Sequence, residues 1–157
     1  MNRPRLIGPR ALAVAGLLGV LGGAGLYTLS YAEGLSYLSD DPRACVNCHV
    51  MREEYDGWQH ASHHAVATCV DCHLPQDNLI AKYAVKAENG FWHSTRFTLQ
   101  DFDEPIRARD QSRDVVLRNC LRCHGDLVAH INERGADKPG ELGCIRCHDA
   151  VGHGPTR

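Results

Sequence analysis

From Ala11 to Ala32 no residue is charged, and Leu, Val, Ala and Gly dominate; from Glu33 onward charged and polar residues alternate with a scattering of apolar ones. The first stretch is long enough to cross a bilayer as one helix. Arg3, Arg5 and Arg10 precede it, while Glu33, Asp40 and Asp41 follow. This asymmetry predicts a cytoplasmic N-terminus and an exported remainder. A cleaved signal peptide is the competing reading, since Ser30-Tyr31-Ala32 offers small residues to a peptidase. The apolar stretch exceeds the roughly 7–15 residues of a usual signal core. We therefore expect a cytoplasmic N-terminus and retained single-pass anchor over 1–34, in the cytoplasmic (inner) membrane, and a periplasmic domain over 35–157.

A second pattern lies between Gln76 and Asn119. Lys82, Lys86, Asn89 and His93 recur at helical spacing and place four polar groups on one stripe, while Leu79, Ile80, Tyr83, Ala84 and Ala87 occupy other positions. Gly90 weakens a continuous helix, so His93 is expected just past its end. The stripe reads either as a solvated face or as the wall of a site. Phe91 and Trp92 beside it fit the interfacial level of a membrane.

Cysteine placement changes the picture most. All eight cysteines fall in four copies of one pentapeptide: Cys45-Val-Asn-Cys48-His49, Cys69-Val-Asp-Cys72-His73, Cys120-Leu-Arg-Cys123-His124 and Cys144-Ile-Arg-Cys147-His148. Each reads as a c-type haem attachment site, with two thiols for thioether bonds and a histidine placed for the iron. Two zinc ribbons or a disulfide framework are the rivals, because paired Cys-x-x-Cys units at this separation suit zinc. Neither rival requires a histidine after every pair. Few large apolar side chains lie beyond the anchor, so four covalently attached haem c groups would supply the missing core volume. The fold class expected is a multihaem cytochrome c: one transmembrane helix followed by a small, mainly helical, loop-rich tetrahaem domain. The net charge of -2 and the lack of a basic run give no sign of nucleic-acid binding.

Cys45 to Cys69 and Cys120 to Cys144 both span 24 positions, which reads as a duplicated pair of motifs. The copies differ outside the pentapeptides: His64 corresponds to Pro139, and His153 to Asn78. Six histidines lie outside the motifs, namely His60, His63, His64, His93, His130 and His153. They are candidates for distal iron ligands. His153 follows His148 by only five positions. Opposed imidazoles on one iron need alpha-carbons roughly 16 Å apart, and five extended residues reach about 17 Å without room to skirt the porphyrin. A ligating His153 therefore belongs to another motif's haem.

These features together resemble the NapC/NirT-type membrane-anchored tetrahaem quinol dehydrogenases, and within that family the small subunits of cytochrome c nitrite reductases. The resemblance runs from the anchor to His153. Its most specific parts are Cys45 to Met51, Ser62 to Thr68, the helix with Lys86, Asn89 and Gly90, and Glu104-Pro105-Ile106. It implies Met51 as the axial ligand of haem 1, with His49 the alternative. It implies His73 on haem 2, whose other ligand is a lysine of the catalytic partner, His124 with His153 on haem 3, and His148 with His64 on haem 4. Where some members have an aspartate beside haem 1, this chain has His93, which is a candidate distal ligand, hydrogen-bond partner or proton acceptor. Lys86 and His93, with Asn89 and Lys82 nearby, then form the expected quinol site.

The function implied is oxidation of menaquinol from the membrane quinol pool and delivery of its electrons to a periplasmic pentahaem cytochrome c nitrite reductase, which makes ammonium. The chain is not expected to reduce nitrite alone. A NapC-type role feeding a periplasmic nitrate reductase or another oxidant is the alternative, and a haem-based redox or gas sensor is an alternative of another class. Glu104, Arg107 and Arg109 read either as a docking surface or as ordinary surface charge. His60, His63 and His130 receive no role.

Overall fold

The computed structural model describes residues 8–132 and 143–154. Arg3, Arg5 and Pro139, and the side chain of His130, lie outside the described residues. The chain divides into two units, Met1–Tyr37 and Leu38–Arg157.

The first unit holds one long helix, α1 (Pro9–Tyr31), with Pro9 in its first turn, where the missing N–H costs nothing. Its most apolar 18-residue window has a mean hydropathy of 1.8. At about 1.5 Å per residue it is roughly 34 Å long, against about 30 Å of bilayer hydrocarbon. None of its residues is buried within the protein. That is the state of a helix whose apolar surface is covered by lipid rather than by its own chain. In its last turns the Thr28 hydroxyl donates to the Ala24 carbonyl at 2.8 Å.

The second unit is built from short helices and turns around the motifs, with no strand among the described residues. Helix α2 (Pro42–Cys45) is capped by Asp41, whose carboxylate accepts from the Arg43 N–H at 2.9 Å. A 3-10 turn at His49–Met51 leads into α3 (Arg52–His60), which opens on Glu53 and Glu54, the charge a helix N-terminus favours. Helix α4 (Cys69–His73) starts from Thr68, whose N–H and hydroxyl both donate to the Asp71 carboxylate, at 2.9 and 2.7 Å. Helix α5 (Leu79–Leu99) and α6 (Asp110–Asn132) are the long members, and a 3-10 turn at Cys144–Arg146 carries the last motif.

Helix α5 departs from expectation in two ways. It runs unbroken through Gly90, so His93 lies inside the helix and not beyond its end. One interior glycine costs about 1 kcal/mol relative to alanine, which 21 residues with good ends can absorb. Asn78 caps the start by accepting from the Ile80 and Ala81 N–H groups, and Gln100 ends the helix in the left-handed region at φ 54°. The middle of the polar stripe, moreover, faces inward: Lys86 is 4% and Asn89 8% exposed, while His93 at its end is exposed and Leu79 and Ile80 on the apolar side are 69% and 82% exposed. The apolar side of α5 points away from the protein.

Among the described residues, the buried apolar side chains are Leu74 and Val115, at the junction of α4 and α6. Buried Asn119 secures that junction by donating to the carbonyls of Cys72 at 2.9 Å and Leu74 at 2.8 Å. Two aliphatic side chains and an amide are far too little apolar burial to fold a domain of this length unaided.

Candidate haem and quinol site

The four pentapeptides take two conformations. The second is wholly α-helical in α4 and the third lies within α6, whereas the first straddles the end of α2 and a 3-10 turn and the fourth begins in a 3-10 turn. The duplication in spacing is thus not repeated in local backbone. The pairs of motifs are nonetheless drawn together. Cys45 and Cys69 share a thiol hydrogen bond that pulls the Cys45 thiol down to about 7 and pushes that of Cys69 up. Burial pushes the thiols of Cys72 and Cys120 up, and Cys123 and Cys144 respectively stand close enough to add to the effect. Motif 1 therefore meets motif 2, motif 2 meets motif 3, and motif 3 meets motif 4. All eight cysteines are unpaired.

The donor set fits haem. No group of three or more His, Cys, Asp and Glu residues among the described ones is arranged to hold a metal ion, as either zinc ribbon would need. What the second unit does offer is free cysteine pairs, each followed by an imidazole, and large apolar side chains left open to solvent: Val66, Leu79, Ile80, Phe91, Phe97 and Leu127 are all exposed. A porphyrin face is the type of surface that would cover them.

Two imidazole pairs stand out. The rings of His73 and His153 are 6.1 Å apart and inclined by 17°, and those of His63 and His124 are 6.0 Å apart and nearly perpendicular. An ion bonded to two imidazoles at about 2.0 Å each holds their centres roughly 6 Å apart. The resemblance pairs His153 with His124; the ring found beside His153 is that of His73. His64, expected on haem 4, packs edge-on against Trp58 at 4.5 Å, and Trp58 is held by donating its indole N–H to the Ala67 carbonyl at 2.9 Å. His124 and His148 are exposed at the ends of their motifs. Burial, then His153 and His93, lower His73 to about 4, so it is a neutral imidazole with a lone pair to give.

Sequence reasoning left His63 without a role and passed over Glu54 and Gly57. His63 Nδ1 lies 3.0 Å from the Val151 carbonyl, Glu54 sets its carboxylate against His153 Nδ1, and a Cβ on Gly57 would sit 2.1 Å from the His153 carbonyl oxygen. Helix α3 and the turn after it thus hold the segment that carries His153. These contacts cross almost the whole second unit, and no local sequence signal could have announced them.

Near the first motif, His49 meets the edge of Phe97 at 5.7 Å, and Phe97 stacks on Phe102 at 5.8 Å. These residues, with Gln100 and Glu104, line a cavity of about 670 Å³. Met51 is half-buried in the adjoining 3-10 turn. The expected quinol residues are engaged with protein groups. The Lys86 ammonium donates to the carbonyls of Leu38 and Ser39 at 3.1 and 2.8 Å and to Asp40 at 3.1 Å, and Lys82 reaches the other Asp40 oxygen at 2.5 Å. Asn89 accepts from Arg109 at 2.7 Å, and Arg109 also pairs with Glu88 at 2.9 Å. His93 is exposed at its edge, yet the protein packed about it and then Arg109 hold its imidazole below the ordinary histidine range. Arg109 is therefore a structural partner of α5. Arg107 is exposed.

Comparison with known proteins agrees with this reading. Residues 9–157 match the NapC/NirT cytochrome c family, N-terminal region. The chain is 41% identical over 140 residues to the cytochrome c-type protein NrfH of Wolinella succinogenes, covering 84% of this chain and 79% of the relative. It is 35% identical over 138 residues to the cytochrome c nitrite reductase subunit NrfH of Nitratidesulfovibrio vulgaris, covering 85% and 82%. Among solved structures it is similar to a chain of the cytochrome c nitrite reductase NrfHA complex bound to the HQNO inhibitor, with a TM-score of 0.61 and 31% identity over 88% of this chain and 92% of that one. A span-length apolar helix, a core-poor helical unit with four Cys-x-x-Cys-His motifs, and relatives aligned along most of its length lead to one assignment: the chain belongs to the NapC/NirT cytochrome c family.

Proposed function

We propose that this chain is the membrane-anchored, quinol-oxidising subunit of a cytochrome c nitrite reductase. In this reading it takes electrons from menaquinol and delivers them to a periplasmic pentahaem catalytic subunit. The observation that carries the proposal is the joining, in one chain, of an apolar helix of spanning length to four haem-attachment pentapeptides, aligned along most of its length with two NrfH proteins, one of them a cytochrome c nitrite reductase subunit.

Covalently held haem supplies one-electron redox chemistry. Four such groups attach at Cys45 and Cys48, Cys69 and Cys72, Cys120 and Cys123, and Cys144 and Cys147. The axial ligands in this reading are Met51 (His49 as the alternative) for haem 1, His73 for haem 2, His124 with His153 for haem 3, and His148 with His64 for haem 4. A lysine of the partner completes haem 2.

Quinol oxidation also releases two protons, and the chain's own residues must handle them. His93 is neutral at pH 7 because its imidazole is held below the ordinary range, so it is available as a base or as the distal ligand of haem 1. Lys86 supplies a positive charge fixed by three acceptors, with Lys82 and Asn89 alongside, which favours the anion left when a quinol hydroxyl loses its proton. The outward apolar face of α5, with Phe91 and Trp92, suits the interfacial zone where a lipid-soluble quinol resides. The N-terminus is cytoplasmic and the haem domain periplasmic, as the flanking charges favour.

The test uses full-length protein with its partner in quinol-loaded liposomes. His93→Ala should lower quinol oxidation by about 10²-fold, and Lys86→Met should lower it as well, while dithionite still reduces all the haem. Unchanged quinol oxidation in both variants would remove the proposed quinol site. Purification of the anchored protein with a molybdenum enzyme in place of a pentahaem one would overturn the assignment of the partner.

A further inference from the structure

Helix α3 contributes two residues on one face, Glu54 and Gly57, to the segment around His153. Glu54 is largely buried and brings a carboxylate oxygen within ion-pair distance of Nδ1 of His153, a nitrogen that is buried from solvent and has no hydrogen bond to any other group. With Nδ1 facing the Glu54 carboxylate, Nε2 is the nitrogen left to bind a metal. Gly57 allows this approach, because its missing Cβ is the space filled by the His153 backbone. A third contact, between His63 Nδ1 and the Val151 carbonyl at 3.0 Å, fixes the residues just before it. His153 is thus held at its ring, at its own backbone and two positions upstream, all by one helix and the turn after it.

We propose that Glu54 is a positioning residue for an axial haem ligand: its carboxylate fixes the tautomer and direction of His153 and strengthens the imidazole as a donor to iron, forming a carboxylate–histidine–iron relay. Metal-bound histidines commonly present their second nitrogen to a carboxylate, which orients the ring and raises its basicity. A more basic imidazole stabilises ferric over ferrous iron, so the haem served by His153 is set to a lower potential than it would otherwise have. The proposal rests on the reading that His153 is an axial ligand, and it holds whichever of the four haems His153 serves. It adds to the chain a way of grading potentials that does not depend on ligand identity.

The experiment is a spectroelectrochemical and EPR comparison of the full-length, four-haem protein with Glu54→Gln and His153→Ala, haem content being measured in each. In Glu54→Gln one midpoint potential should rise by the equivalent of about tenfold in its oxidised-to-reduced ratio, ~59 mV for one electron, while the other three stay put. The haem that moves should be the one that turns from low-spin to high-spin in His153→Ala. Should the glutamine variant fail to accumulate, Glu54→Asp, which withdraws the carboxylate by one methylene, should shift the same haem in the same direction. If His153→Ala changes one haem and neither Glu54 variant moves its potential, the relay is refuted and the ligand reading survives. If His153→Ala leaves every low-spin signal intact, the ligand reading falls, and the relay with it.

Discussion

Motifs 2 and 3 and motifs 1 and 4 are held in place by different means. The second and third lie on α4 and α6, which meet over Leu74 and Val115 and are joined by the two hydrogen bonds of Asn119. The first runs from the end of α2 into a 3-10 turn, and the fourth begins in one. They are tied through their neighbours: Lys82 and Lys86 hold the residues before motif 1, and α3 holds the residues after motif 4. Helical motifs thus sit on a small core made by protein, and turn motifs are tethered by polar contacts at their flanks. Attached haem must complete both sets, and more of the burden falls on the second.

The largest effect should come from removing haem altogether. With all eight cysteines changed to alanine, the unit from Leu38 onward should show no cooperative thermal transition by circular dichroism, because two buried aliphatic side chains cannot offset the entropy of ordering such a chain. A sharp transition in that variant would mean that the protein-made core is sufficient, and the contrast between the two kinds of motif would lose its meaning. Next in size is Gly57→Val, which drives a side chain into the His153 backbone. Overpacking of this type costs about 1–3 kcal/mol. It should displace His153 and, with His153 as the proposed axial ligand, convert one low-spin haem to high-spin, with α4 and α6 unaffected in amide exchange.

Much of this arrangement can be read from the chain, and what cannot is instructive. Helix α1 is legible because nothing interrupts its apolar run, and the four pentapeptides because covalent chemistry fixes their spacing. Helix α5 is legible as a helix, from its polar stripe, but not in its orientation. Periodicity finds two faces; it does not say which is inward. The usual assumption sends the apolar face to the core, and here Lys86 and Asn89 are buried while Leu79 and Ile80 are outside, as suits a chain whose apolar partners are cofactor and lipid. The roles of Glu54, Gly57 and His63 were illegible for another reason: each acts on the segment from Val151 to His153, and a contact across that much sequence leaves no local trace.

Smaller again is Asn119→Ala. It strips the Cys72 and Leu74 carbonyls of their amide donor in a buried setting, at a cost of about 1–3 kcal/mol. Heat or denaturant midpoints of the haem-loaded protein should fall, and exchange should quicken first at α4 and α6. An equal loosening of motif 1 would show that the two regions unfold as one and would end the distinction.

The smallest effect concerns pH and separates the regions by the chemistry of their ties. Asp40 is held below the usual carboxylate range, first by the hydrogen bond from Lys82 and then by Lys86. Its folded value thus lies below its unfolded value of 3.8. The stability it contributes is therefore fully present above pH 3.8 and is lost as pH falls through the lower, folded value. Asp40 is half exposed, so solvent and salt screen the pair and the effect is modest. The tie at α4 and α6 is an uncharged amide, which does not titrate. Acidification through this window should speed amide exchange in residues 38–49 more than at α4 and α6, added salt should act in the same direction, and Asp40→Asn should loosen the first segment at neutral pH and abolish its additional acid response. Equal acceleration in both regions, persisting in Asp40→Asn, would mean that acid acts on groups common to both regions, and that the polar tether before motif 1 carries no measurable share of its stability.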